Sequence, residues 1–209
     1  MKSNFEKYPY VAVPNGAGAC VTGWAAITDL LRQAIAARPA SRTVLTIECY
    51  TGVHVDAVTA AVQALSPQRI IQSSEALLAP EVIDAKVGIF NGGEDPVFGI
   101  MNHLRMPDFM DADKVSALST EIEQVQDGLV IVIGCGASLI HPGDLLVYSD
   151  LARWEAQLRM RRDEISNLGV ENRDLKWSLQ YKRAYFTDWR VCDRLKRELM
   201  GRWDFVLDT

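Results

Sequence analysis

Leu129–Ile133 (LVIVI) is an unbroken apolar run, four of its five residues β-branched, set between Asp127-Gly128 and Gly134. A strand without polar alternation must be buried on both faces, and a parallel sheet covered by helices on each side provides that environment. Val44–Glu48, Arg69–Ser73, Leu145–Tyr148 and the terminal WDFVLDT read as further strands. Helical periodicity separates them. Trp24, Ile27, Leu30, Leu31 and Ile35 recur at helical spacing across Gly23–Ala37, with Thr22 as a candidate cap. Asp56 stands at the N-cap position before Ala57–Leu65, and Asp111 opens a helix of roughly fifteen residues. Leu77-Leu78-Ala79-Pro80 reads as a loop entering a helix, and Val97–Leu104 as a short helix. Residues 150–165 and 188–200 predict two basic helices around a polar segment, 166–184. Strands alternating with helices make a three-layer α/β fold with a mainly parallel sheet. A chain of 209 residues suits a single such domain.

The net charge of −5 gives no reason to expect nucleic-acid or membrane-surface binding. MKSNFEKYPY lacks the apolar core of a secretory signal, so a cytoplasmic protein is expected. Cys20, Cys49, Cys135 and Cys192 form no CxxC pair and read as reduced thiols. His54, His103 and His141 fall in different elements without HxH, HxxxH or HExxH spacing, so no metal site is expected.

In parallel α/β sheets, ligands bind outside the carboxyl ends of the strands. Two loops hold that position, 49–56 and 134–138. The first, in TVLTIECYTGVHVDAV, has the strand–turn–helix outline of a phosphate-binding loop. A working loop needs GxxxxGK[ST]: backbone N–H groups cradle phosphates, the lysine reaches the terminal phosphates and the hydroxyl holds Mg²⁺. Here the eight positions run from Cys49 to Asp56. Cys49 and His54 replace the glycines, with Gly52 between them. Val55 replaces the lysine, and Asp56 puts a carboxylate where a phosphate would sit. The loop has the topology of a P-loop and lacks its chemistry.

DGLVIVIGCGASLIHPGDLLVYSDLARWEAQLRMRRD resembles the second half of the uridine and nucleoside kinases, in which a helix ending in R-x-x-RD begins a lid. The fold implied is P-loop nucleoside-kinase-like with a degenerate phosphate loop, residues 150–187 forming a lid-like basic segment and residues 1–40 an N-terminal arm and helix. The strings ECYTGV, DPVFGIM, GCGASLI, GDLLVYSDLARWEAQLR, YKRAYFTDWRVCDRLKR and DFVLDT are similar to the N-terminal, kinase-like region of bacterial class I mannose-6-phosphate isomerase-type proteins. That resemblance implies a role in carbohydrate metabolism beside a cupin domain that carries the isomerase zinc. This sequence ends at DFVLDT, so the cupin and its zinc are expected to be absent from these residues.

Candidate residues follow. Gly134, Gly136 and Ser138 end the best strand and offer N–H groups to an anion. The lid pattern points to Arg153, Arg162, Lys182 and Arg183, whose forks and ammonium suit phosphate and which flank a presumed hinge at Asn167-Leu168-Gly169. Glu75 follows the second strand, near where nucleoside kinases place a general base, and is a weak catalytic candidate. The expected ligand is a sugar phosphate or nucleotide, the expected partners a cupin domain or a second copy. An atypical phosphotransferase and a docking module that binds nothing are the rival readings.

Overall fold

The computed structural model describes residue 5, residues 8–93, residue 95 and residues 97–209. Five strands form one parallel sheet: β1 (Arg42–Cys49), β2 (Arg69–Gln72), β3 (Gly128–Gly134), β4 (Leu145–Asp150) and β5 (Phe205–Asp208), in the order β2-β3-β1-β4-β5. Every residue of β1 after Arg42 is buried, and every residue of β3 from Leu129 onward. Burial at successive positions means both faces of the sheet are covered, as LVIVI requires. The chain leaves β1 toward the β2 edge and leaves β4 toward the β5 edge, so the centre of the sheet is a topological switch point.

The helices are α1 (Trp24–Ala36), α2 (Val55–Val62), α3 (Pro80–Gly88), α4 (Ala112–Gln124), α5 (Ala137–Ile140), α6 (Arg153–Arg161), α7 (Trp177–Arg183) and α8 (Trp189–Leu199). Asp111 caps α4 as expected, its carboxylate accepting from the Asp113 and Lys114 N–H groups. The N-cap of α2 is His54, with Asp56 inside the first turn, and the N-cap of α1 is Gly23, where a positive φ of 85° suits glycine.

Three readings of elements need correction. Val97–Leu104 is not helical: the Val97 and Phe98 N–H groups bond the Asp95 carboxylate and the Asn102 N–H bonds the Phe186 carbonyl, so these donors do not enter a helical ladder. The helix expected over 150–165 is only Arg153–Arg161, because Asp163 takes a positive φ of 54° that ends it. The polar segment 166–184 contains α7, which runs through one π-helical stretch, Ala184–Asp188, directly into α8. That stretch brings Arg183 and Asp188 inward, where both are buried. The first residues of the expected arm, 1–4, 6 and 7, lie outside the described residues. Among the described residues no helix is long and apolar enough to cross a membrane.

Candidate functional site

A crevice of about 490 Å³ opens at the carboxyl ends of β1, β2 and β3. One wall is the loop from Thr51 to Asp56. The floor includes Gln72, Ser73 and Ser74 after β2, with Ile133, Gly134 and Cys135 at the end of β3. The opposite wall is a strap, residues 164–171 with Arg173, between α6 and α7.

The β1–α2 loop is filled by the protein itself. The N–H of Tyr50 bonds the Ser149 carbonyl at 2.8 Å, that of Val53 bonds Tyr50 at 3.2 Å, and that of Val55 bonds Val53 at 2.9 Å. The N–H groups of Tyr50, Val53 and Val55 thus point at internal acceptors and are not offered to a phosphate. Gly52 sits at φ 93°, and a Cβ there would lie 3.0 Å from both Ile165 Cδ1 and Leu151 Cδ2. Its carbonyl accepts from Arg159 at 2.9 Å. The adjoining His54 Nε2 lies 3.5 Å from Glu164 on the strap. Cys49, behind the loop, is buried, and burial pushes its thiol far above the ordinary range. Gly52→Ala is expected to cost about 1–2 kcal/mol, the strain of a left-handed alanine, measured as the shift in urea midpoint; an unchanged midpoint would show that the loop does not hold residue 52 at this positive φ.

The 134–138 turn is already occupied, by the Glu48 carboxyl group. Its two carboxylate oxygens accept from the Gly136 N–H at 2.6 Å and the Ser138 N–H at 2.8 Å. These bonds favour the charged form, yet full burial outweighs them and pushes the carboxyl up to about 7. Gly134, at φ 125°, packs on Ser73, whose hydroxyl donates to the Cys135 carbonyl at 2.8 Å.

The basic residues of the lid pattern are engaged elsewhere. Arg153 pairs with Asp193 and lies over the Trp189 ring. Arg162 pairs with Glu155 at 3.0 Å and Glu164 at 2.6 Å, and these carboxylates push its guanidinium further up. Lys182 is buried and donates to the carbonyls of Gly93 and Asp95. Arg183 bonds Asp84 at 2.6 Å and the Leu168 carbonyl at 2.9 Å. Glu75 accepts the Gln72 N–H at 3.0 Å and so caps the turn after β2.

Of the sequence candidates, the structure brings Gly52, His54, Val55, Asp56 and Gly134 to the crevice. Cys49, Glu75, Gly136, Ser138, Arg153, Arg162, Lys182 and Arg183 stand outside its lining. Sequence reasoning missed Gln72, Ser73, Ser74, Ser166 and Glu171 as lining, and read Asn167 as part of a hinge. The first three could have been found from their place at the carboxyl end of β2; the strap residues carry no periodic signal. The charged lining is mainly acidic, Asp56, Glu164 and Glu171 against Arg173, which lies 3.6 Å from Glu171. Among the described residues no group of three or more His, Cys, Asp or Glu side chains could hold a metal ion. His103 packs edge-on against Phe90, and His141 accepts from the Gly143 N–H at 3.0 Å.

Two solved structures share this architecture. A candidate fructose transport system kinase from Silicibacter sp. TM1040 superposes with a TM-score of 0.57 at 13% identity, over 89% of this chain and 99% of that one. A candidate uridine kinase from Bacillus stearothermophilus superposes with a TM-score of 0.50 at 13% identity, over 88% and 98%. At such identity the likeness is one of fold, and the fold is that of the P-loop kinases. No curated protein matches the sequence. Residues 23–209 match the family described as a domain of unknown function, DUF8485, and the chain belongs to that family.

Proposed function

We propose that this protein is a kinase-folded binding module that holds a small neutral polyol, a sugar or a nucleoside, in the crevice and transfers no phosphate to it. The observation that carries this reading is the lining: serine, threonine, glutamine and asparagine side chains and mostly acidic charge, beside a β1–α2 loop in which the Tyr50, Val53 and Val55 N–H groups are spent internally. Hydroxyls and amides suit a polyol. Glu164 and Glu171 are paired with Arg162 and Arg173, which leaves the Asp56 carboxylate and no unpaired lysine or arginine in the lining to meet a phosphate.

A sugar phosphate or nucleotide held by Gly134, Gly136, Ser138 and the lid cations is the less supported form of the same proposal, since those donors already have partners. The resemblance to class I mannose-6-phosphate isomerase-type proteins supports a place in carbohydrate metabolism, with a cupin domain as the catalytic partner.

A thermal-shift series with uridine, mannose and fructose against their phosphates and ATP·Mg²⁺ tests the reading. A ligand at about 100 times its Kd stabilises the native state by roughly 2.7 kcal/mol. For a chain of this size that is a shift of about 5–10 °C. A neutral polyol is expected to give that shift and Ser74→Tyr, which fills the crevice floor, to abolish it. ATP turnover on the order of 1 s⁻¹, an ordinary kinase rate, would overturn the proposal. So would a larger shift with the phosphorylated ligands.

A further inference from the structure

The polar side chains that line the crevice fall into two sets. Those of the strap are satisfied within the protein. Ser166 donates to Glu171 at 3.2 Å and accepts the Asn172 N–H at 3.1 Å. Asn167 is bonded to Gln180, Asp188 and Asn172. Glu164 pairs with Arg162, and Glu171 with Arg173. On the floor, Ser73 is spent in the same way, on the Cys135 carbonyl.

The second set follows β1 and β2. Among the described residues, the Asp56 carboxylate has no ion pair and no hydrogen bond, and the hydroxyls of Thr51 and Ser74 have no hydrogen-bond partner. Thr51 is only 6% exposed, so an unpartnered hydroxyl sits on a residue held almost wholly inside the protein. The Gln72 side chain accepts the Glu75 N–H, and its NH₂ group has no acceptor among the described residues. The crevice therefore offers one carboxylate, two hydroxyls and one amide donor, all away from the strap.

This set decides the chemistry of the ligand. An ionised carboxylate only accepts hydrogen bonds, and an amide NH₂ only donates them. An ammonium group would meet Asp56 and leave Gln72 without an acceptor. A phosphate would meet Gln72 and set like charge against Asp56. Hydroxyl groups both donate and accept, so they satisfy every member of the set. Two hydroxyls on adjacent carbons match the two oxygens of one carboxylate, in the way an acidic residue takes a ribose hydroxyl in dinucleotide-binding folds. A cis arrangement turns both hydroxyls to one side of a ring and leaves its other face for apolar lining such as Leu77, Leu78 and Val170.

Resting on the polyol reading above, we propose that the crevice selects a cis-1,2-diol and that Asp56 sets this specificity by accepting both hydroxyls, with Thr51, Ser74 and Gln72 bonding the remaining ligand oxygens.

Calorimetric titration of the full chain tests this with two pairs of compounds: uridine against 2′-deoxyuridine, and mannose against 2-deoxyglucose, which is mannose without its 2-hydroxyl. In at least one pair the diol is expected to bind about tenfold or more tightly than its deoxy partner, the effect of a hydrogen bond to a charged group. Which pair responds tells a nucleoside from a sugar. Asp56→Asn should erase the preference, weakening the diol and leaving the deoxy compound within about twofold of its wild-type affinity. Asp56 is exposed, so the circular dichroism spectrum should not change. If that variant fails to fold, the wild-type comparison decides alone. Equal affinity within each pair would overturn the diol specificity and leave the binding-module reading standing. A preference that survives Asp56→Asn would overturn the role of Asp56, and glucosamine binding more tightly than mannose would show that the carboxylate takes an ammonium group instead. Binding of none of the four compounds would overturn both this inference and the reading it rests on.

Discussion

Asp188→Ala is expected to lower stability by about 3 kcal/mol, at the lower end of the cost of breaking a buried ion pair. Asp188 is 1% exposed and Arg183 is 6% exposed, and their side chains approach to 3.5 Å. The same carboxylate accepts from the Asn167 amide at 2.6 Å and the Leu168 N–H at 3.3 Å. Alanine would leave Arg183 without its buried counter-charge, the Leu168 N–H without an acceptor and the Asn167 amide with only the Gln180 carbonyl. Arg183 would keep Asp84, a largely exposed partner, which is why the lower end of the range applies. For a chain of this size the melting temperature should fall by about 6–12 °C. Asp188→Asn, which preserves an acceptor for Asn167, should recover part of the loss. A drop of under about 1 kcal/mol for the alanine variant, in urea or by heat, would refute this account of how the strap is held.

The effect reaches the crevice because Asn167 and Leu168 line it. Asn167 also donates to the Gln180 carbonyl at 3.0 Å and exchanges hydrogen bonds with Asn172. The presumed hinge at Asn167-Leu168-Gly169 is thus a buried, cross-linked segment of the wall. Asp188, at the end of the π-helical stretch, accepts the Asn167 and Leu168 N–H bonds that tie it down.

The sheet was legible because β1, β3 and β4 must satisfy burial on both faces, and that demand leaves an apolar run in the sequence. The helix opened by Asp111 was legible because its cap is local. The loop from Val97 to Leu104 was misread because its apolar spacing imitates a helix, while its N–H acceptors include Phe186, more than eighty residues away. The site follows the same division. Position at the strand ends identified the two loops. Which groups fill them is a long-range matter: Glu48 reaches Gly136 and Ser138 across β1 and β3, and Lys182 and Arg183 meet partners nearly a hundred residues earlier. A basic residue read alone looks free for phosphate, and only the folded chain supplies the carbonyl or carboxylate that occupies it.

Glu48 makes stability depend on pH. Its carboxyl titrates at about 7 in the folded protein, against an ordinary 4.5. A raised folded value means that the native state binds the proton more tightly than the unfolded chain does. The stabilisation is therefore fully present below about pH 4.5 and is lost as pH rises through 7. The difference corresponds to about 3 kcal/mol between the two ends of that window. Glu48→Gln cannot titrate. Its one carbonyl oxygen serves two N–H groups, Gly136 and Ser138, so the variant should be about 1–2 kcal/mol less stable than wild type at pH 5. By pH 8 the wild type has taken up the cost of a buried carboxylate, and the two stabilities should converge or cross. Urea denaturation at intervals from pH 5 to 8 reads this directly. Other titrating groups, including His141, are common to both proteins and cancel in the difference. Parallel curves would mean that Glu48 is ionised throughout and that its two N–H bonds, not burial, set its charge.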